Sequence, residues 1–192
     1  MKKRLLLQGE IGCGKSTLIR QALGRDALKA GGFVTLRVTQ GNSLLGFDLA
    51  PAAALADPEL TGQRFLDFTR DPCRNDAVFS RFGAALLQDS LEAPFAVVDE
   101  FGGLELMVPE FYSALMELLQ SDVPVVGVFK TPEASEALIR RLHPEEAYGE
   151  AYRSLRRLLL EDPDTELLET TGRGDAHAEQ QLRLWVNTYV RN

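Results

Sequence analysis

Residues 9–17 have the types and spacing of a phosphate-binding loop. They read GEIGCGKST and fit the pattern G-x-x-x-x-G-K-[ST]. Glycines in such a loop allow backbone N–H groups to approach phosphate oxygens closely, because no Cβ intervenes. Lys15 is predicted to contact the β- and γ-phosphates, and the Ser16 hydroxyl is predicted to bind a magnesium ion. The loop predicts that a nucleotide phosphate is bound, a property that hydrolases, kinases and switches share.

Every residue of this loop is a candidate for nucleotide binding, and Lys15 is also a candidate catalytic residue. Cys13 occupies a variable position, where the loop contributes mainly its backbone. Because a helix N-terminus lowers the pKa of a thiol, Cys13 is either a redox or alkylation sensor or a small side chain that the loop tolerates. The candidate nucleotide-binding residues are Gly9, Glu10, Ile11, Gly12, Cys13, Gly14, Lys15, Ser16 and Thr17.

Two consecutive acids much later in the chain complete the predicted site. Asp99 and Glu100 end the apolar run PFAVVDE at residues 94–100. An unbroken apolar run is typical of a strand that is buried on both faces of a parallel sheet. Ligands gather at the carboxyl ends of such strands, so Asp99 is predicted to hold the magnesium ion, through water. Glu100 is predicted either to orient an attacking water molecule or to cap the following loop.

The elements that must position these residues follow from the hydrophobic pattern. Residues 4–8 predict a strand before the loop, and residues 16–25 predict a helix after it. Runs at 33–39 and 43–49 flank the turn sequence QGN and predict an antiparallel hairpin. Residues 50–76 contain three prolines and are predicted to form an irregular surface excursion around a short run at Arg64–Phe68.

Strands alternate with helices in the remainder of the chain, which favours parallel pairing and an α/β sandwich. Asp175 is the predicted N-cap of the last helix. The predicted helices cover residues 77–90, 109–120, 134–142, 146–160 and 176–190, and the predicted strands cover 94–100, 123–129 and 166–170.

The composition is that of an ordinary soluble protein, and the length of 192 residues suits a single domain. A net charge of −7 argues against nucleic acid as an obligatory partner, because phosphate backbones require a surface rich in Lys and Arg. The two cysteines, Cys13 and Cys73, fit a reducing cytosol. No apolar run approaches the roughly 20 residues of a membrane span, so a cytoplasmic protein without a membrane partner is predicted.

Three blocks of the sequence resemble the THEP-type nucleoside-triphosphatase family, also called the cancer-related nucleoside-triphosphatase family. Phosphate loops occur in many families, so the second and third blocks give the resemblance its specificity. The blocks are GKSTL at 14–18, GGFVT at 31–35 with LGFD at 45–48, and VDEFGGLEL at 98–106 followed by Phe111.

The resemblance implies a three-layer, RecA-like P-loop fold with a mostly parallel central sheet and an antiparallel hairpin, in one domain over residues 1–192. It also implies magnesium-dependent hydrolysis of nucleoside 5'-triphosphates, ATP and GTP among them, to nucleoside diphosphate and phosphate. The partners implied are therefore nucleoside triphosphates.

By position, the resemblance makes Asp99 the metal-binding acid and Glu100 the acid that activates water. Glu105 matches a family acid that supports the site from behind. The sequence departs from the family at Gly103, where the family has lysine, and at Phe101, where it has isoleucine.

Two other functions remain open from the sequence. A small-molecule kinase would use residues 50–76 as a lid over an acceptor, and its phosphate consumption would depend on that acceptor. A nucleotide switch or accessory ATPase would instead bind a partner protein through the hairpin and hydrolyse slowly without it. The arginines available to a lid are Arg64, Arg70, Arg74 and Arg81.

Several cationic side chains could act on the γ-phosphate. Lys130 follows the second buried strand and is either a γ-phosphate sensor or a solvated charge at the strand end. An arginine finger is worth about 10³–10⁵-fold in rate where one exists. Arg173 could also approach the base from a late loop. The candidates for a finger are Arg70, Arg74, Arg140, Arg141 and Arg173.

Overall fold

Strands and helices alternate along most of the computed structural model, which describes residues 1–70, 72–142 and 146–192. The strands are β1 (Arg4–Gln8), β2 (Gly31–Gln40), β3 (Ser43–Pro51), β4 (Gln63–Asp67), β5 (Cys73–Arg74), β6 (Ala96–Phe101), β7 (Val125–Phe129) and β8 (Thr165–Glu169). The α-helices are α1 (Lys15–Leu23), α2 (Ala84–Asp89), α3 (Pro109–Gln120), α4 (Pro132–Leu142), α5 (Glu146–Glu161) and α6 (Ala176–Tyr189).

The described strands form one sheet in the order β5-β4-β3-β2-β6-β7-β1-β8. The neighbouring strands in the part β2-β6-β7-β1-β8 are all parallel. The neighbouring strands in the part β5-β4-β3-β2 are all antiparallel. The predicted parallel pairing and the predicted hairpin are therefore present. The antiparallel part is larger than a single hairpin, because two more strands extend it.

Helices pack on both faces of the parallel part, and the strand residues alternate between the two cores. Leu6 of β1 belongs to the cluster that includes Leu115 of α3 and Leu155 of α5. Its neighbours Leu5 and Leu7 belong to the cluster that includes side chains of α1 and α6. Since successive side chains of a strand point to opposite faces, the unbroken apolar run supplies both cores at once.

The structure corrects the prediction that residues 50–76 form an irregular surface excursion, although the short run predicted at Arg64–Phe68 overlaps β4. β4 and β5 lie within this segment, and β4 pairs with β3 as an antiparallel strand of the sheet. Phe65 of β4 packs on Phe47 with 6.4 Å between ring centroids and on Phe79 with 4.9 Å. These contacts join distant parts of the chain, so the local density of prolines gave a misleading signal.

The predicted helix at 77–90 is present in a modified form. It begins with a wider π-type turn over Val78–Gly83, continues as α2 and ends in a 3₁₀ turn over Ser90–Glu92. Asp175 caps α6 as predicted, because its side chain accepts a hydrogen bond from the Ala178 N–H at 3.1 Å. Among the described residues, no helix has both the length and the apolar character that a membrane crossing demands.

The junction between β2 and β6 brings the hairpin to the strand that carries the two acids, and it depends on Gly32. This residue has a φ of +86°, and a Cβ there would lie 2.1 Å from the carbonyl oxygen of Val97. Gly41, in the hairpin turn, has a φ of +57° but open space around it.

We expect Gly32→Ala to lower the free energy of unfolding by about 3–5 kcal/mol, because the methyl group forces β2 away from β6. Gly41→Ala is the matched control and is expected to cost only about 1 kcal/mol, for its left-handed backbone alone. Urea unfolding of both variants measures the difference. Equal losses would show that the close β2–β6 approach is unimportant for stability.

Candidate active site

The phosphate-binding motif lies between β1 and α1, as predicted. Within the loop, Gly12 has a φ of +79° and Gly14 a φ of +109°, values that side chains rarely adopt. α1 begins at Lys15, directly after the second of these glycines. The backbone therefore has the freedom to turn its N–H groups toward an anion at the helix N-terminus.

The Lys15 ammonium lies against the loop itself. It donates hydrogen bonds to the carbonyl oxygens of Gly9 at 2.9 Å and Glu10 at 2.6 Å. Its nitrogen is also 3.7 Å from the Cys13 sulfur. The side chain of Ile11, by contrast, is 81% exposed and contributes no packing to the core.

The structure brings Ser16 and Asp99 together. The Ser16 hydroxyl donates a hydrogen bond to Asp99 Oδ1 at 2.9 Å, although the residues lie on α1 and β6. The Asp99 carboxylate is buried, and the carbonyl oxygen of Asp99 accepts a bond from Thr35 Oγ1 at 3.4 Å. Burial raises the pKa of Asp99 from 3.8 to about 7, and the charge of Glu100 adds to the effect. The bond from Ser16 and the charge of Lys15 oppose this rise.

These two side chains fit a magnesium ion. A hydroxyl and a carboxylate are the hard oxygen donors that magnesium prefers, and the buried Asp99 carboxylate accepts its hydrogen bond from a neutral hydroxyl. The described part of the chain contains no group of three or more His, Cys, Asp or Glu side chains able to hold a metal. A two-residue site suits magnesium, which keeps waters and substrate phosphates as its other ligands.

Glu100 has a backbone conformation that the sequence did not predict. Its φ is +63°, and it is the sole non-glycine residue with positive φ in the described ranges. The register between β6 and β7 shifts here, since Val98 pairs with Gly127 but Phe101 pairs with Phe129. The two acids thus form a bulge opposite a single residue of β7, which leaves Asp99 buried and Glu100 exposed. The bulge gives consecutive acids different environments at one end of the sheet.

The turn after Glu100 is fixed by the carboxylate of Glu105, a residue of the same turn. Glu105 is buried, and its Oε1 accepts hydrogen bonds from the N–H groups of Gly102 at 2.7 Å and Gly103 at 2.6 Å. The predicted support from behind the acids therefore has a physical basis. Glu105 acts on the backbone of this turn.

Lys130 lies at the end of β7, between the strand of the acids and the strand of the phosphate loop. Its carbonyl oxygen accepts hydrogen bonds from Tyr152 Oη at 2.8 Å and Gln8 Nε2 at 3.2 Å. Its side chain lies over the glycines after Glu100, because a Cβ at Gly103 would be 3.5 Å from Lys130 Cε. A cationic side chain thus covers the position where the family has lysine.

Of the arginine candidates, Arg173 is the one that the structure places against the phosphate loop. Its guanidinium is 3.4 Å from Thr17 Oγ1, and its backbone N–H donates to the Cys13 carbonyl oxygen at 3.2 Å. Arg74 instead pairs with Asp76 at 2.5 Å.

The remaining arginine candidates lie elsewhere on the surface. Arg140 pairs with Glu136 at 3.6 Å, and Arg70 and Arg141 are exposed. Arg64, a candidate for a kinase lid, forms an ion pair with Asp48. The carboxylates that pair with Arg64 and Arg140 both lie outside the phosphate loop.

Sequence reasoning missed the residues that hold the site from outside the motifs. Thr35 contacts the backbone of Asp99, and the hydroxyls of Tyr148 and Tyr152 bind carbonyl oxygens at the ends of β6 and β7. Tyrosines at helical spacing on α5 resemble ordinary core residues, so the pattern contained no local signal for this role.

The chain is similar to proteins of known sequence and structure. A family model described as NTPase matches residues 4–153. Nucleoside-triphosphatase THEP1 of Thermofilum pendens is 31% identical over 147 residues, which cover 72% of this chain and 79% of that protein. Nucleoside-triphosphatase THEP1 of Methanosarcina acetivorans is 29% identical over 134 residues, which cover 65% of this chain and 74% of that protein.

Two solved structures have a similar fold. The crystal structure of THEP1 from the hyperthermophile Aquifex aeolicus matches with a TM-score of 0.63 at 20% identity, covering 95% of this chain and 98% of that one. The solution structure of a human cancer-related nucleoside triphosphatase matches with a TM-score of 0.64 at 19% identity, covering 96% and 97%. The predicted P-loop α/β fold is thereby confirmed. Because the family model spans most of the chain, this protein belongs to the THEP-type nucleoside-triphosphatase family.

Proposed function

We propose that this protein hydrolyses nucleoside 5'-triphosphates, ATP and GTP among them, to nucleoside diphosphate and phosphate with magnesium as cofactor. The observation that carries the proposal is the bulge at the end of β6. It buries Asp99 against Ser16 and leaves the next acid, Glu100, exposed at the same sheet end. Curated relatives are named nucleoside-triphosphatases, which supports the same reaction. One domain over residues 1–192 would carry the activity.

The phosphate loop would bind the triphosphate through its backbone and Lys15. The Lys15 ammonium now contacts two neutral carbonyl oxygens, those of Gly9 and Glu10. A phosphate oxygen carries more negative charge than a carbonyl, so exchange of one partner for the other favours nucleotide binding. N–H groups at the start of α1 add their partial positive charge to the same anion. Residues 9–17 form the proposed nucleotide site.

Ser16 and Asp99 would hold the magnesium ion, which when bound neutralises charge that develops on the phosphate oxygens. The buried Asp99 carboxylate gains a counter-charge in this arrangement. A cation bound there would favour the ionised form of Asp99 and so would lower its pKa.

Glu100 would orient the attacking water and accept its proton. Such assistance typically contributes about 10²–10⁴-fold in rate. Glu100 is exposed to solvent and follows directly after Asp99, the proposed metal ligand, so a water molecule can reach it from outside. Arg173 would add a second cation to that of Lys15. It lies beside Thr17, in the first turn of α1.

We expect Glu100→Gln to reduce phosphate release from magnesium–ATP and magnesium–GTP by about 10²–10³-fold, because the amide cannot accept the proton. Affinity for the nucleotides, measured by fluorescence titration, should change little. Glu117→Gln, an exposed glutamate on α3, serves as the matched control and should retain full turnover.

The same assay is run without any acceptor molecule. Phosphate release from nucleotide and water alone supports hydrolysis, whereas strict dependence on an added acceptor would contradict the proposal. Unchanged turnover in Glu100→Gln would disprove the role of Glu100 in water activation.

Burial of the Asp99 carboxylate has a cost in stability that depends on pH. Because the pKa of Asp99 is about 7 in the folded protein and 3.8 ordinarily, the unfolded chain releases this proton first as pH rises. Stability therefore falls between about pH 4 and pH 7 and stays lower above that range. Asp99→Asn removes this dependence while keeping an oxygen acceptor for Ser16.

In metal-free protein at pH 8, we expect Asp99→Asn to raise the free energy of unfolding by about 2–4 kcal/mol. Near pH 4 the gain should vanish, and magnesium-dependent turnover should be lost. Urea unfolding at the two pH values measures the effect, with Asp89→Asn on α2 as the exposed control. A stability gain that is independent of pH would be inconsistent with a buried charge.

Arg173 lies close enough to the phosphate loop to contact a bound nucleotide, because its guanidinium is 3.4 Å from Thr17 Oγ1. Removing its guanidinium deletes a cation beside the phosphate loop, and a charge-assisted contact is worth about 1.5–3 kcal/mol. We expect Arg173→Ala to weaken binding of ADP and ATP by about tenfold or more. Arg183→Ala, an exposed arginine on α6, should leave both affinities unchanged. If the two variants bind equally well, Arg173 does not contact the nucleotide.

A further inference from the structure

The backbone of Gly102 is held on both sides, two residues after Glu100. Its N–H donates to Glu105 Oε1 at 2.7 Å, and its carbonyl oxygen accepts a hydrogen bond from Tyr148 Oη at 3.0 Å. Glu105 belongs to the same turn, whereas Tyr148 is on α5, distant in sequence. A turn held only by its own side chain could move as a unit. The bond from Tyr148 ties it to the rest of the fold.

Tyr148 is itself fixed in place. The side chain is wholly buried, and its hydroxyl lies 3.1 Å from the hydroxyl of Ser135 on α4. Burial raises the pKa of Tyr148 above its ordinary value of 10.0, so the phenol keeps its proton and remains a donor at neutral pH. The Tyr148 hydroxyl is therefore held in place by its surroundings and stays protonated, so it can donate to the Gly102 carbonyl oxygen at neutral pH.

The conformation of Glu100 explains why such a tie is needed. A non-glycine residue in the left-handed region costs about 1–3 kcal/mol and persists only where its surroundings over-determine it. The following residue, Phe101, accepts a hydrogen bond at its carbonyl oxygen from the Lys130 N–H at 2.9 Å. The next carbonyl, that of Gly102, is the one that Tyr148 binds. Together these bonds prevent the bulge from relaxing into a regular strand.

We infer that Tyr148 is a positioning residue for Glu100: its hydroxyl fixes the Gly102 carbonyl, and so keeps the Glu100 carboxylate where it can activate water. This inference rests on the role of Glu100 in the proposed hydrolysis. Tyr148 touches neither substrate nor reacting atoms. Its contribution is to hold a strained backbone whose side chain carries out the chemistry.

The test is Tyr148→Phe, which removes the hydroxyl and keeps the buried ring. We expect kcat for magnesium–ATP to fall about fivefold to tenfold, the equivalent of one lost hydrogen bond, with KM changed less than twofold. Tyr189→Phe is the matched control, since Tyr189 Oη also donates to a backbone carbonyl, that of Met1 at 2.7 Å. That variant should keep kcat within twofold.

A double mutant separates positioning from general structural damage. In a Glu100→Gln background, Tyr148→Phe should cause no further loss of kcat, because the group that it positions is already inactive. An equal loss in both backgrounds, an unchanged kcat, or a raised KM at constant kcat would each overturn the inference. Ser135→Ala provides a second variant, expected to lower kcat about threefold with the same dependence on Glu100.

These variants distinguish a wrong positioning role for Tyr148 from a wrong role for Glu100 in hydrolysis. If Glu100→Gln lowers kcat strongly while Tyr148→Phe does not, only the positioning role is wrong. If Glu100→Gln leaves kcat unchanged, the role of Glu100 is wrong and the inference is overturned with it. Circular dichroism melting of each variant confirms that the comparison is made on folded protein.

Discussion

The hydrogen bond from Ser16 to Asp99 is the interaction on which the site depends, because it joins the helix that follows β1 to β6, a strand that is not next to β1 in the sheet. β1 leads into Ser16 and β6 carries Asp99, and β7 lies between them in the sheet. The strands are parallel, so their carboxyl ends meet at one edge and a short side chain from α1 can reach the acid. Any change in the order or direction of these three strands would separate hydroxyl and carboxylate. The fold therefore specifies the site through topology.

Two adjacent residues at this edge of the sheet each lower the stability of the fold. Asp99 is a buried acid whose pKa is raised by its burial, and Glu100 has a left-handed backbone. A single bulge produces both states, because it turns one acid inward and leaves the other at the surface. Thr35 and Tyr148 donate hydrogen bonds to backbone carbonyl oxygens around the two acids, and Glu105 accepts one from the Gly102 N–H; together they hold this arrangement. Strain and burial of this kind concentrate at active sites, where other residues must offset them.

Much of this architecture is readable from the sequence, for identifiable reasons. The apolar runs, the phosphate loop and the N-cap at Asp175 are local signals, and the structure contains each of them. The short run at 64–68 was predicted, but its pairing into the sheet was not, because Phe65 is held by rings from other elements. The left-handed backbone of Glu100 was missed because the residue type does not favour it. Local sequence patterns thus predict most strands, the phosphate loop and the helix cap. The pairing of β4 and the backbone of Glu100 depend on contacts between residues distant in sequence.

The phosphate loop shows why motif residues serve more than one requirement. A Cβ at Gly12 would meet nothing within 4 Å, so glycine there is required only by its backbone angle and by the approach of phosphate. A Cβ at Gly9, however, would lie 2.2 Å from the carbonyl oxygen of Thr170. Gly9 is therefore also required for packing against the segment that follows β8, which ends in Arg173 beside Thr17. The carboxyl-terminal part of the chain thus shapes the proposed nucleotide-binding loop and places the Arg173 guanidinium beside it.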